Sequence, residues 1–140
     1  MKDKPTTITY RVPYADTDQM GVVYYANYLI YFERLRNELL RQTGIPYREW
    51  EERGVILPVV EACCRYRGPA RYDDILTISG VASPLTATRI RIDYRVCRES
   101  DLLTEGHTIH ACLNKDGRPI RVPKELLGGG QQRAEVRIQK

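Results

Sequence analysis

Residues 16–28 read DTDQMGVVYYANY and place two carboxylates and a glycine directly before the longest helical pattern in the chain. The start of a helix carries backbone N–H groups that have no intrahelical partner, together with the positive end of the helix dipole. Such groups polarise a carbonyl and stabilise an oxyanion beside a carboxylate. We therefore predict the active site at this junction, which also separates the first strand from the helix.

The helical pattern extends over residues 25–43. Its apolar side chains recur at the spacing of one helix face and include Tyr28, Phe32, Leu35 and Leu39. Gly44, followed by Pro46, is typical of a helix end, and residues 46–53 are predicted to form a short second helix that begins with the proline. The chain thus has one long helix with a buried face.

Strand patterns lie on both sides of the helices. One precedes them, over residues 6–14, and four follow, over residues 56–67, 75–82, 88–98 and 102–114. In the third of these four, apolar and charged residues alternate, so one face is predicted to be buried and the other solvated. The order of strand, long helix and antiparallel meander predicts an α+β fold in which a curved sheet wraps around a single helix.

The length of 140 residues and the hydrophobic content of 42% fit one globular domain. We place this domain at residues 1–123 and predict that residues 124–140, which are glycine-rich near their start and lack periodicity, form a flexible C-terminal tail. No apolar stretch approaches the ~20 residues that cross a bilayer, and the N-terminus lacks the apolar segment of a signal peptide. We expect no membrane insertion and a cytoplasmic location.

The net charge is +4, and arginines are concentrated between residues 65 and 98. This bias suits a polyanionic partner. No zinc-finger spacing or aromatic-glycine RNA-binding motif accompanies the arginines. We therefore predict no nucleic-acid binding and favour a phosphorylated small molecule as the partner.

Several catalytic and metal-binding signatures are absent from the sequence. It has no GxSxG, HExxH, GxGxxG or GxxxxGKS/T motif. The four cysteines lack CxxC spacing, and we interpret them as reduced structural thiols. His107 and His110 lie three residues apart on a predicted strand, so their side chains should point to opposite faces. We predict no metal site and no cofactor.

The two carboxylates of the junction are not equivalent. Residues two apart in an extended segment project alike, but the turn into the helix redirects the second, so Asp18 is better placed than Asp16 to face the helix start. As an alternative, one of the two aspartates caps the helix. Gly21 lets the backbone approach a ligand closely because it has no Cβ. We predict that Gly21 and its neighbour Val22 contact the substrate.

Residues 16–28, continuing through YFER at residues 31–34, resemble the signature of the 4-hydroxybenzoyl-CoA thioesterase family. Residues 69–74, PARYDD, are similar to the segment that joins two central strands in the Tol–Pal-associated acyl-CoA thioesterases of that family. The resemblance extends over residues 6–123. It implies a hotdog fold and a homodimer whose two sheets join edge to edge, commonly paired again into a homotetramer, with active sites between subunits.

The resemblance also assigns roles to single residues. The catalytic aspartate of the family corresponds to Asp18, and the backbone N–H that polarises the thioester carbonyl corresponds to Tyr25. Asp18 either attacks the carbonyl or deprotonates a water molecule, and the sequence leaves both routes open. Some relatives carry His where this chain has Tyr25, so only the main chain of this residue is assigned a role.

The substrate implied by the resemblance is a short-chain or aromatic acyl-CoA, which would be hydrolysed to the free acid and CoA. Arg89 is the nearest match to the basic cluster of the relative that takes an aromatic substrate, and Arg71 and Arg91 are further candidates for phosphate contacts. Glu33 on the long helix is a candidate for the acyl end of a substrate bound to a neighbouring subunit.

Three alternatives to an acyl-CoA thioesterase stay open. The first is a thioesterase that acts on acyl carrier protein thioesters instead of acyl-CoA. A hotdog dehydratase or hydratase would need a histidine near the helix start, and neither His107 nor His110 lies there. A non-catalytic acyl-CoA-binding regulator would be expected to carry a DNA-binding segment, for which the predicted elements leave no residues.

Overall fold

The computed structural model describes residues 4–127, which form one five-stranded sheet with three helices. The strands are β1 (Thr6–Arg11), β2 (Val59–Tyr66), β3 (Ile75–Thr86), β4 (Arg89–Arg98) and β5 (Asp101–Ala111). The helices are α1 (Asn27–Arg41), α2 (Tyr47–Glu52) and α3 (Lys124–Leu127), and a 3-10 turn covers Tyr14–Asp16. None of these described helices is both long and apolar enough to cross a membrane.

The sheet is antiparallel throughout and has the strand order β1-β3-β4-β5-β2. The predicted α+β architecture and the meander of β3, β4 and β5 are confirmed. β3 continues to Thr86, four residues past its predicted end. A register shift between Pro84 and Thr86 accommodates the proline, which has no N–H to donate. β2 lies at one edge of the sheet, where its Val59 and Val60 are exposed.

α1 packs on one face of the sheet through its buried side chains, which are Tyr28, Tyr31, Phe32, Leu35, Leu39 and Leu40. Two glycines of the sheet permit this close approach. A Cβ on Gly80 would overlap the Leu35 side chain, and a Cβ on Gly106 would overlap the Cys63 carbonyl and press against Phe32. The sheet therefore wraps tightly around the helix.

The first four residues of the predicted flexible tail are helical and packed against the core. Lys124–Leu127 form α3, and Leu126 is only 1% exposed, packed in the hydrophobic core. The glycines that follow suggested a tail, but an apolar side chain within reach of the core gains free energy by burial. Residues 128–140 of the predicted tail lie outside the described residues.

Candidate active site

Asp18 lies in a tight loop between β1 and α1. The loop is a short two-stranded ladder, in which Thr17 pairs with Val23 and the N–H of Asp18 donates to the Val22 carbonyl at 2.9 Å. Gly21 closes the turn with a φ of 82°, a left-handed conformation that residues with a Cβ rarely adopt. The turn therefore requires this glycine. We call residues 16–24 the acidic loop.

The Asp18 carboxylate is half-buried, and only one of its oxygens is engaged. Oδ1 accepts hydrogen bonds from the N–H of Met20 at 2.9 Å and from the N–H of Val22 at 3.4 Å. Within residues 4–127, no donor reaches Oδ2. Backbone donors thus fix the orientation of the carboxylate, while the second oxygen is left for a water molecule or a carbonyl carbon.

Asp16 has a different environment, because two tyrosine hydroxyls, rather than backbone N–H groups, share one oxygen of its carboxylate. Its Oδ2 accepts hydrogen bonds from the Tyr31 hydroxyl at 2.7 Å and from the Tyr10 hydroxyl at 3.1 Å. Its carbonyl accepts a further bond from Nδ2 of Asn27 at 2.9 Å. Burial, and then the bond to Asp16, raise the pKa of Tyr31, so this phenol stays a donor. Asp16 therefore ties the acidic loop to β1 and α1.

The main chain of Tyr25 precedes α1 rather than beginning it. The helix starts at Asn27, two residues later than predicted, with Ala26 at the N-cap and no side-chain cap, so neither aspartate is a cap. A turn occupies the difference, since the N–H of Asn27 donates to the Tyr24 carbonyl at 2.9 Å. Among residues 4–127, the N–H groups of Tyr25 and Ala26 find no acceptor. Both are free to bind a ligand oxygen.

Tyrosine rings surround this turn. Tyr24, Tyr25 and Tyr66 are all exposed, and the ring centroid of Tyr25 lies 4.7 Å from that of Tyr24 and 6.5 Å from that of Tyr66. The neighbouring Tyr25 hydroxyl raises the pKa of Tyr24, with smaller contributions from burial and from the charge of Asp18. The Asp18 carboxylate is therefore close enough to Tyr24 for its charge to act on the Tyr24 hydroxyl.

Arg71 lies beside the acidic loop. It forms a bridge with Val22, and its Nη1 lies 4.0 Å from the position of a Cβ on Gly21. The Asp74 carboxylate holds this segment by accepting bonds from the Arg71 N–H at 2.8 Å and from the Arg98 Nη1 at 2.9 Å. Burial raises the pKa of Asp74, but these bonds outweigh burial and lower it overall. The Arg71 side chain itself is exposed. Three predicted binding residues thus lie together.

Arg89 and Arg91 lie at the opposite end of the sheet. The 10 residues of β4 separate the two ends by about 30 Å. Arg89 is exposed, whereas Arg91 forms an ion pair with Asp93 at 3.0 Å and lies 3.3 Å from Nδ1 of His107. Within one subunit, the structure does not bring these two arginines to the acidic loop.

A second polar cluster is buried between α1 and the sheet. Nη1 of Arg36 donates to the Tyr94 hydroxyl at 3.1 Å, and this hydroxyl lies 2.6 Å from Oγ1 of Thr108. Nε2 of His110 lies 2.9 Å from the same Oγ1, and its Nδ1 lies 2.9 Å from the Leu57 carbonyl. Because a guanidinium only donates and a carbonyl only accepts, the direction of every bond is fixed, and Nδ1 carries the proton. We call this series the Arg36–Leu57 chain.

Part of the Arg36–Leu57 chain lines a cavity of about 270 Å³ between α1 and the sheet. Its walls include Glu33, Arg36, Tyr47, Leu57, His110 and Leu126. His110 thus faces the helix, whereas His107 lies on the outer face, where its Nε2 is 2.6 Å from the Glu61 carboxylate. The predicted opposite orientation of the two histidines is confirmed. Burial lowers the pKa of His110, and the charge of Arg36 adds to this effect.

Sequence reasoning missed Tyr66, Arg98 and the cavity. Arg98 was one of many arginines, and only the fold shows that it meets Asp74. The alternation within β2 could have placed Tyr66 on the face that packs against α1, but no local pattern relates residue 66 to residue 25. The cavity forms between elements that are distant in sequence.

The chain belongs to the thioesterase-like superfamily, whose family model matches residues 12–129. The predicted hotdog fold is confirmed by similarity to solved structures. A structure of the protein TT1821 from Thermus thermophilus superposes with a TM-score of 0.80 at 38% identity, over 86% of this chain and 93% of that one.

Two relatives have names that state an activity. The acyl-CoA thioester hydrolase YbgC of Escherichia coli O157:H7 is 32% identical, over 87% of this chain and 92% of that protein. The 1,4-dihydroxy-2-naphthoyl-CoA hydrolase of Synechococcus elongatus is 35% identical, over 76% of this chain and 80% of that protein. Both act on acyl-CoA thioesters, as their names state.

Proposed function

We propose that this chain hydrolyses the thioester bond of an acyl-CoA, with Asp18 as the catalytic carboxylate and the Tyr25 N–H as the donor that polarises the carbonyl. One observation carries the proposal. Among residues 4–127, Oδ2 of Asp18 has no donor and the N–H groups of Tyr25 and Ala26 have no acceptor, and these groups all belong to the short segment 18–26. Attack on a carbonyl needs both, since the nucleophile approaches the carbon while donors stabilise the negative charge that develops on oxygen.

Thioester cleavage needs no strong general acid, because a thiolate with a pKa of about 8.5 leaves readily. In one route, Oδ2 of Asp18 bonds to the carbonyl carbon, the C–S bond breaks, the CoA thiolate leaves, and water then cleaves the mixed anhydride. In the other, Oδ2 takes a proton from a water molecule whose oxygen attacks, and the same C–S bond breaks. Both routes use the same carboxylate and the same donors.

Substrate binding is proposed for the residues beside the acidic loop. Gly21, which has no Cβ, lets the thioester approach the acidic loop closely, Val22 lies next to it, and Arg71 offers an exposed guanidinium to a CoA phosphate. Arg89 is about 30 Å and Arg91 about 24 Å from this end of the sheet, so we propose that they contact CoA bound to a neighbouring subunit.

Assembly through β2 would complete the site. β2 is an edge strand with exposed Val59 and Val60, and an exposed apolar edge favours pairing with another strand. Antiparallel pairing with the β2 of a second copy would bring the end of β2, beside Tyr25, near the start of the partner strand and hence near the partner's cavity. We propose a homodimer of this kind, or a homotetramer built from it, with the acyl group between subunits.

A panel of thioesters tests the proposed activity. Short, medium, branched and aromatic acyl-CoAs are offered together with acyl carrier protein thioesters, and free thiol release is followed. We expect release from a short-chain or aromatic acyl-CoA, and the name of the Synechococcus elongatus relative supports the aromatic class. Release from carrier protein thioesters alone would mean that the substrate is an acyl carrier protein thioester and not an acyl-CoA. No release from any thioester that binds would favour a non-catalytic acyl-CoA-binding protein.

A further inference from the structure

The turn that presents the N–H groups of Tyr25 and Ala26 is held from outside α1. From α1, the Tyr25 carbonyl accepts a hydrogen bond from the N–H of Tyr28 at 3.4 Å, which is long for such a bond. The hydroxyl of Tyr66 donates to the same carbonyl at 3.0 Å. The better bond on this peptide therefore comes from β2, which is 41 residues away in sequence.

Tyr66 is suited to this task by its own surroundings. Its ring packs edge-on against Tyr28 with centroids 5.4 Å apart, and Tyr28 is buried in the core. The phenol is therefore anchored at its base while its hydroxyl reaches the turn. Burial, and then the neighbouring Cys64, raise the pKa of Tyr66 to about 12, so the hydroxyl remains a donor throughout the neutral range.

We propose that Tyr66 is a positioning residue for thioester hydrolysis, whose hydroxyl holds the Tyr25–Ala26 peptide so that the unpaired N–H groups stay directed at the substrate oxygen. This inference rests on the proposed function. A donor on a carbonyl also polarises its own peptide, and the N–H of that peptide belongs to Ala26. Tyr66 thus fixes the Tyr25 main chain and strengthens the Ala26 N–H as a second donor.

Tyr66→Phe tests the proposal, because it keeps the ring and removes only the hydroxyl. We expect kcat to fall about 10-fold, the effect of a weakened oxyanion donor, with KM and the thermal midpoint close to those of the unmodified chain. Tyr14→Phe is the matched control. Tyr14 is exposed, and its hydroxyl has no partner among residues 4–127, so this variant should retain full kcat.

A spectroscopic measurement separates positioning from a merely structural role. An acyl-CoA labelled with ¹³C at the carbonyl is bound to Asp18→Asn, and the carbonyl stretch is recorded by infrared difference spectroscopy. We expect the bound carbonyl to absorb at lower frequency than free thioester, and Tyr66→Phe added to Asp18→Asn should reduce this shift.

The outcomes distinguish the two proposals. If the unmodified chain cleaves no acyl-CoA, the proposed function fails. If it is active and Tyr66→Phe keeps both kcat and the carbonyl shift, only the role of Tyr66 is wrong. A Tyr66→Phe variant that loses thermal stability and KM together with kcat would assign the hydroxyl to folding and would also overturn the inference.

Discussion

The acidic loop and the Arg36–Leu57 chain are both polar, yet they are built in opposite ways. In the Arg36–Leu57 chain, every bond runs in one direction, from a guanidinium to a carbonyl, and Tyr94, Thr108 and His110 each have a partner on both sides. In the acidic loop and the turn that follows it, Oδ2 of Asp18 and the N–H groups of Tyr25 and Ala26 have none within the described residues. We call the first arrangement closed, because each of its polar groups has a protein partner, and the second open, because some of its donors and acceptors are left for water or a ligand.

This difference separates stability from chemistry. A buried group that loses its partner keeps the full cost of desolvation, so a closed network stabilises the fold and resists change. The open groups of the acidic loop and of the turn after it belong to exposed or half-buried residues, where water satisfies them until a substrate replaces it. The closed cluster is therefore expected to govern folding, and the open one turnover.

The largest expected effect is on turnover at Asp18. Asp18→Asn keeps the shape of the side chain and the acceptor used by Met20, but it removes the charge of the second oxygen. We expect kcat to fall at least ~100-fold, the scale of a lost general base or nucleophile, with little change in the thermal midpoint. Steady-state kinetics and calorimetry on the same preparation measure both.

Asp116→Asn is the control for this variant, because Asp116 is exposed in a distant turn. It should leave both quantities unchanged. Near-normal turnover of Asp18→Asn would show that Asp18 is not the catalytic carboxylate. It would also contradict the expectation that the acidic loop governs turnover while the Arg36–Leu57 chain governs folding.

The next effect concerns the free energy of unfolding. Thr108→Val keeps the volume of the side chain but leaves Nε2 of His110 without a donor and the Tyr94 hydroxyl without an acceptor. We expect a loss of about 1–3 kcal/mol in the free energy of unfolding, measured by urea denaturation. The kcat of the folded variant should stay near that of the unmodified chain.

Thr77→Val makes the same chemical change at an exposed position on β3 and should cost much less. If Thr108→Val instead lowered kcat without affecting the unfolding midpoint, the Arg36–Leu57 chain would belong to the catalytic machinery.

The smallest effect is a dependence of stability on pH. Burial lowers the pKa of His110 in the folded chain, so the unfolded chain binds a proton first as the pH falls below about 6.5. Stability from the neutral imidazole is therefore present above that pH and declines below it. Urea denaturation across this range should show the decline, and His110→Gln should reduce it. A slope that His110→Gln leaves intact would assign the dependence to other groups.

Much of the fold could be predicted because it depends on local periodicity. The alternation in residues 88–98 and the apolar stripe of α1 each point to a single face, so the sheet and helix followed from neighbouring residues. Errors arose where a distant contact outweighs a local signal. The predicted end of this strand at residue 82 is wrong, because pairing with β4 across the hairpin continues β3 to Thr86. Leu126 packs into a core that the glycine-rich sequence beside it does not indicate.

The residues of the candidate site also differ in whether local sequence or a distant contact places them. Asp18, Gly21 and Tyr25 lie within eight residues, so one stretch of sequence contained the acid, the turn and the donor. Arg71 lies beside them because it forms a β-bridge with Val22, which the spacing of the sequence does not predict. Tyr66 reaches them through a hydrogen bond between residues that are 41 positions apart. The distinction between Asp16 and Asp18 also required the fold, because it depends on which tyrosines surround each carboxylate.

The exposed edge of β2 has a consequence for how the chain folds. If Val59 and Val60 are covered only in an assembled form, assembly stabilises the native state by mass action, and the apparent stability rises with protein concentration. Dilution would then reduce activity and resistance to heat together, since both would depend on the same strand pairing. The stability of the fold, the degree of association and the turnover would then all depend on protein concentration in the same way.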